Sequence, residues 1–369
     1  MLLVETDPVS GAEIHQLTTG PLPADDIYGE QPYSPPDSSC VTVCDFNADG
    51  KIAGLRLLGL PDGAVRATLP TAVRFPAFHA WGEYLYYQEL VGPRLLLRRC
   101  RYATGQVEDV LALPEQGGKF SYGTVSPDHR WYAVSVHYPD KTSEVRLYDV
   151  TRGGERVLVR STGQLYKHEQ FSRDGQNRVL IQANAADVSV VNLGWMAVDG
   201  EGVDWFAVDA PPLVPIGRWP GGARHTPRCT GHETWVGPTA SVFCSTGGDK
   251  ARGTNIWTVA VGAQAPTAVP SAGRGFGHVS VSACGRYWLG DAIGEPDIPI
   301  YVGSFASGSC ARLLASRTKH DGKQWTHTHP YLTADNRWLV FNSSRAGSPQ
   351  VHVATVPPAF LAALDRASA

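Results

Sequence analysis

The sequence predicts an all-β fold, a seven-bladed β-propeller of four-stranded antiparallel blades. Three observations lead there: a turn-and-strand unit that recurs seven times, a repeat interval close to one blade, and the near absence of helical periodicity. The unit is a turn rich in Pro, Asp or Gly, followed by a short aromatic and β-branched strand. It appears as SPPDSSCVTV (34–43), HAWGEYLYYQ (79–88), SPDHRWYAVS (126–135), SRDGQNRVLI (172–181), VGPTASVFCS (236–245), SACGRYWLGD (282–291) and TADNRWLVFN (333–342). Successive starts lie 45, 47, 46, 64, 46 and 51 residues apart, against roughly 40 to 50 residues for a four-stranded blade. The 64-residue interval therefore holds an insertion.

Each element follows in turn. EIHQLTT (13–19) reads as a strand ahead of the first unit, and the last unit has too few residues after it for four strands. The two ends are expected to share a blade and close the ring, which removes exposed edges. Further strand cues, EVRLYDV (144–150), NIWTVAV (255–261), IPIYVGS (298–304) and QVHVATV (350–356), suit the outer strands of blades. The Pro- and Gly-rich segment 209–231 reads as an inserted loop near the active-site face, and AFLAALDRAS (359–368) as a short helix. Because the repeats run through the chain, one domain over residues 1–369 is expected.

Composition narrows the function. Hydrophobic residues make up 43% and charged residues 18% of the chain, which argues for a large core and against disorder or coiled coil. Lys plus Arg (32) nearly balances Asp plus Glu (35), for a net charge of -3. That balance offers no generalised attraction to nucleic acid or to an anionic membrane. No stretch reaches the roughly 20 apolar residues that span a bilayer, and the N-terminus meets Glu5 and Asp7 too early for a signal-peptide core. A cytoplasmic address is expected, or a periplasmic or secreted one if a leader was removed. The seven cysteines, without a C-x-x-C pair, read as reduced thiols.

The register of the repeats carries the chemistry. Four residues before each turn, where the innermost strand of a blade runs, stand Glu30, Phe75, Tyr122, His168, His232, His278 and His329. Four consecutive units have histidine there, although the chain holds only 12 histidines. One such histidine could simply bond a neighbouring blade; four in one register point to a site. QWTHTHP adds His327, two residues before His329 and on the same face of a strand by period-two alternation, with Gln324 three residues earlier. Imidazoles with one amide oxygen and no thiolate suit a borderline or hard divalent cation, and His278 can complete the set.

GHETW (231–235), GHVSVSACGRYWLGD (277–291) and the Q-x-x-H-x-HP stretch followed by TADNRWLVFNSSRAG (324–347) resemble the oligogalacturonate lyase family. KHEQFSRDG (167–175) and DPVSGAEIHQLT (7–18) are similar to further motifs of that family. The resemblance spans about residues 160–350. It implies a seven-bladed propeller that cleaves acidic pectic oligosaccharides by β-elimination, a divalent cation, manganese in the family, on His278, Gln324, His327 and His329, and His232 as general base. The family's arginine is expected within 188–200, where this chain has none. Arg218 and Arg224, in the inserted segment, are the candidate replacements, while His168, Lys167 and Arg345 are candidate substrate contacts.

Two other readings stay open. The same groups could act on another acidic sugar, for example as an epimerase, because a deprotonated uronate can be reprotonated instead of losing its leaving group. A propeller can also be a non-catalytic binding module. Oligomeric state is not legible in the sequence.

Overall fold

The computed structural model describes residues 1–69, 73–114, 117–185, 191–206, 208, 229–246 and 253–366. Among them the strands form an all-β, propeller-like set of sheets. Four four-stranded sheets begin at strands Ala24–Asp25, Gln164–Phe171, Cys229–Trp235 and Val279–Val281. The sequence units at 79 and 126 lie together in one eight-stranded sheet. Its two halves meet through parallel pairing of Val73–Phe78 with Lys119–Val125, at Gly123 with Ala77 and Thr124 with Phe78. The remaining sheet has five strands and contains both ends of the chain. Glu13–Gln16 pairs antiparallel with Gln350–Thr355, and Leu2–Thr6 pairs with Glu13–Gln16.

The recurring turn has a specific hydrogen-bond pattern. In the unit at 126, the Trp131 N–H donates to Ser126 Oγ (2.9 Å), the Arg130 N–H donates to Asp128 Oδ1 (3.1 Å), and the Ser126 hydroxyl donates to Asp128. The units at 172 and 333 repeat it with Ser172, Asp174 and Arg178, and with Thr333, Asp335 and Trp338. One hydroxyl closes the loop and one carboxylate caps it, satisfying backbone groups that the tight reversal leaves unpaired. In these three units the chain enters the second strand this way. The cues at 144, 255, 298 and 350 then form third strands, one place inward of the outer position expected.

Apolar residues of adjoining sheets pack face to face. Tyr287, Leu289, Ile300 and Val302 from one sheet meet Leu332, Leu339, Phe341 and Ala354 from the next, with Ile14 added from the N-terminal strand. The helix Pro358–Arg366 covers this seam and is tied to it by Asp365, which accepts from Tyr287 Oη at 2.7 Å. The inserted segment falls mainly outside the described residues, and its last three residues, 229–231, belong to the strand Cys229–Trp235 instead of a loop. No helix among the described residues is long and apolar enough to cross a membrane.

Candidate metal centre and catalytic site

The register residues are presented by interrupted innermost strands. Pairing slips between Val73 and Phe75, between Phe120 and Gly123, between Lys167 and Gln170, and between Cys229 and Glu233. Phe75, Tyr122, His168 and His232 therefore sit at or beside these irregularities, and His168 adopts a positive φ of 60°. An irregularity of this kind re-aims a side chain that regular pleating would send elsewhere. His278 and His329 stand just ahead of the short strands Val279–Val281 and Tyr331–Leu332. The sequence reading of His327 and His329 as alternating strand residues is corrected here. A single 3-10 turn, Gln324–Thr326, precedes them, His327 follows as its extended cap, and His329 has φ 43°. Their rings nevertheless share one side, with centroids 5.3 Å apart.

One nitrogen from each of His278, His327 and His329 lies within 4.8 Å of the others. His278 Nε2 faces His327 Nδ1 at 3.0 Å, and the Gln324 amide nitrogen reaches His329 Nε2 at 3.5 Å. Gln324 also donates to the Ile27 carbonyl at 3.2 Å. His278 is held on its far side by Asp291, which takes its ring Nδ1 (2.8 Å) and its backbone N–H (2.8 Å). That leaves Nε2 directed at the cluster, the arrangement by which a carboxylate fixes a ligating imidazole.

His232 joins this group from the side, its ring 4.5 Å from that of His278. Its Nδ1 meets Glu30 Oε1 at 2.7 Å. A residue of the first unit thus reaches one of the fifth and fixes the imidazole so that Nε2 is the free acceptor. His168 is paired likewise, Nδ1 to Glu233 Oε1 at 3.3 Å, while its Nε2 lies 3.4 Å from Tyr28 Oη. The Tyr28 ring also packs on His329, 4.8 Å between centroids. On another part of the register the partners are aromatic, with Phe75 and Tyr122 rings 4.9 Å apart.

The electrostatics favour a cation. Asp25, Asp26, Glu30, Glu169, Glu233 and Asp291 are all buried, and none pairs with a lysine or arginine among the described residues. Burial drives Asp26 far above the carboxylate range with Asp25 beside it, lifts Asp25 to about 6 and lifts Glu169 to about 7. Burial acts the same way on Glu30 and Asp291, but the imidazoles of His232 and His278 outweigh it and hold both below their usual range. Burial, and then His278, keeps His327 neutral down to about 3 and holds His329 well below its ordinary value. Neutral imidazoles are metal ligands. Among the described residues His327 Nε2, His329 Nδ1 and both Asp26 oxygens lack hydrogen-bond partners although buried, and such concentrated unsatisfied groups fit an ion-binding site.

The other sequence candidates are distributed differently. Lys167 is partly exposed on the strand beside His168. Arg345 is tied to the Ala315 carbonyl (2.7 Å) and to Glu5 (3.6 Å), with no hydrogen bond or ring contact to these histidines. Arg218 and Arg224 lie outside the described residues. Sequence reasoning listed Glu30 only as a register position and missed Tyr28, Asp25, Asp26, Glu233, Asp291 and His320, whose ring stacks on His327 at 4.3 Å. Asp291 had a usable signal, since it ends the sixth unit; the Asp25–Asp26 pair had none.

Comparison with solved structures gives the fold a relative. An oligogalacturonate lyase in complex with manganese aligns over 98% of this chain and 98% of its own, with TM-score 0.73 and 18% identity. The fold is that of oligogalacturonate lyases. The enzyme of that name from Vibrio parahaemolyticus aligns over the same shares at TM-score 0.71 and 16% identity. A structure of U3-55K aligns over 93% of this chain and 98% of its own, at TM-score 0.56 and 9% identity. No protein-family model matches the chain, and no curated protein matches it by sequence.

Proposed function

We propose that the protein is a metal-dependent lyase that cleaves 4-linked uronate oligosaccharides by β-elimination, built as a single seven-bladed ring in which the eight-stranded sheet counts as two blades. The observation that carries the reading is the convergence of His278, His327 and His329 next to the His232–Glu30 pair. The shared fold with oligogalacturonate lyases, one of them in complex with manganese, supports it. His278, His327 and His329, with Gln324, would hold a divalent cation, manganese first. When bound, such an ion supplies Lewis-acid polarisation of a carboxylate, worth several kcal/mol to a developing negative charge.

The chain's own groups supply the rest. β-Elimination removes the proton at C5, alpha to the uronate carboxylate, and expels the oxygen at C4. His232 takes the proton at Nε2, because Glu30 occupies Nδ1 and stabilises the imidazolium that results. Burial of Glu30 keeps that pairing undiluted by water. Among the described residues no arginine makes a hydrogen bond or ring contact with His168, His232, His278, His327 or His329. A uronate other than galacturonate, or a second reading in which the same base serves epimerisation, stays open, since the candidate arginines Arg218 and Arg224 lie outside the described residues.

A panel of uronate oligosaccharides, incubated with and without chelator, tests the proposal through the ultraviolet absorbance of an unsaturated uronate. Product that forms equally well with chelator removes the metal from the mechanism. Epimerised sugar without that absorbance decides for the second reading. His232→Ala is expected to abolish turnover and keep metal content, and His327→Ala to lose both, as read by elemental analysis.

A further inference from the structure

Elimination leaves one proton transfer unassigned, that to the departing oxygen. We infer that Tyr28 delivers this proton, supplied in turn by His168 and Glu233; the inference rests on the lyase reading above.

The segment 28–30 reaches both paired histidines. Glu30 binds His232 at 2.7 Å, and two residues earlier Tyr28 Oη meets His168 Nε2 at 3.4 Å while its ring lies 6.5 Å from that of His232. Glu233, next to His232 in the chain and fully buried, faces His168 Nδ1 at 3.3 Å and has no other partner for its carboxylate among the described residues. The result is two imidazole–carboxylate pairs with the Tyr28 ring adjoining both, one on the proton-accepting side and one joined to a hydroxyl. Tyr28 also packs on His329 at 4.8 Å, so the hydroxyl belongs to the same site as the metal-facing imidazoles.

The protons balance. His232 takes the C5 proton as the C5–H electrons form the new C4–C5 double bond and the C4–O bond breaks towards oxygen. That oxygen takes the Tyr28 hydroxyl proton, and Oη takes the Nε2 proton of a His168 imidazolium held by Glu233. His232 ends protonated and His168 neutral, and solvent exchange restores both. Nothing is oxidised or reduced.

A proton donor matters only when the leaving group is a poor one, and the experiment uses that. Wild type and Tyr28→Phe are compared on a uronate oligosaccharide, whose leaving group is a sugar hydroxyl, and on the same uronate carrying a 4-nitrophenyl ether at C4, whose phenolate leaves unaided. The expected result is a loss of about 10²- to 10⁴-fold on the oligosaccharide and less than about tenfold on the aryl ether, with metal content retained. An equal loss on both substrates overturns the proton-delivery role and leaves the lyase reading standing. Should Tyr28→Phe fail to fold, judged by circular dichroism, His168→Gln and Glu233→Gln must show the same leaving-group split, and its absence from both overturns the inference. If the wild type eliminates neither leaving group, the lyase reading falls and takes this one with it.

Discussion

His278 and Asp291 show how a buried carboxylate orients a single imidazole. Burial alone would push the imidazole towards neutrality, yet the adjoining Asp291 carboxylate raises its pKa above the ordinary value, because the pair loses its solvent together and keeps its mutual attraction. Asp291 accepts two hydrogen bonds from the same residue, so it sets both the ring and the backbone that carries it. If the proposed site holds a divalent cation, Asp291→Asn is expected to weaken manganese binding by about 10- to 100-fold without removing it, which calorimetric titration would read; unchanged affinity would mean that Asp291 serves packing alone. Glu30→Gln should lower turnover while leaving metal content unchanged, separating the base's support from the ion's.

At the scale of elements, the repeated turn and the slipped inner strand do different work. The turn is local: Ser126, Asp128 and Trp131 form it within six residues, so its pattern is visible in the sequence and recurs at Ser172 and Thr333. Ser126→Ala removes the acceptor for the Trp131 N–H, and a loss of about 1–2 kcal/mol is expected from the unsatisfied group, measurable by urea unfolding. The slipped strands are not local. Gly123 pairs with Ala77 in the neighbouring unit, and a methyl group at Gly123 would lie 2.5 Å from the Tyr132 ring. A side chain at Gly123 is thus excluded by what packs beside it.

The whole molecule depends on its ends meeting. Ile14, buried in the seam between two sheets, lies opposite Ala354, so residues 13–16 join Leu2–Thr6 to three strands from the far end of the chain. Deleting residues 1–19 would uncover that edge, and the shortened chain is expected to aggregate or to melt well below the intact one in a thermal scan. Buried histidines also set the acid limit. Burial, with His129 next to it, lowers His79 to about 4. The unfolded chain then binds a proton between the ordinary value of about 6.5 and about 4 that the folded chain refuses. Stability from this residue is therefore complete above the upper limit and is lost as pH falls through that window. His79 Nδ1 meets the Val125 carbonyl at 3.2 Å, a bond that Asn can imitate. His79→Asn should accordingly narrow the gap between melting temperatures at pH 7 and pH 5, and an unaltered gap would assign the acid loss elsewhere.

The repeat period, the strand cues, the pairing of the two ends and the gathering of His278, His327 and His329 were all legible in the chain, because each rests on short-range patterns or on one residue type recurring at a fixed offset. The partners that give those imidazoles their chemistry were not. Glu30 finds His232 across 202 residues, and Tyr28 finds His168 across 140. Hydrogen bonds at such separations leave no local trace, since they join the turn that follows Ala24–Asp25 to inner strands far along the chain, which slip out of register at His168 and His232, and only folding brings the two within reach.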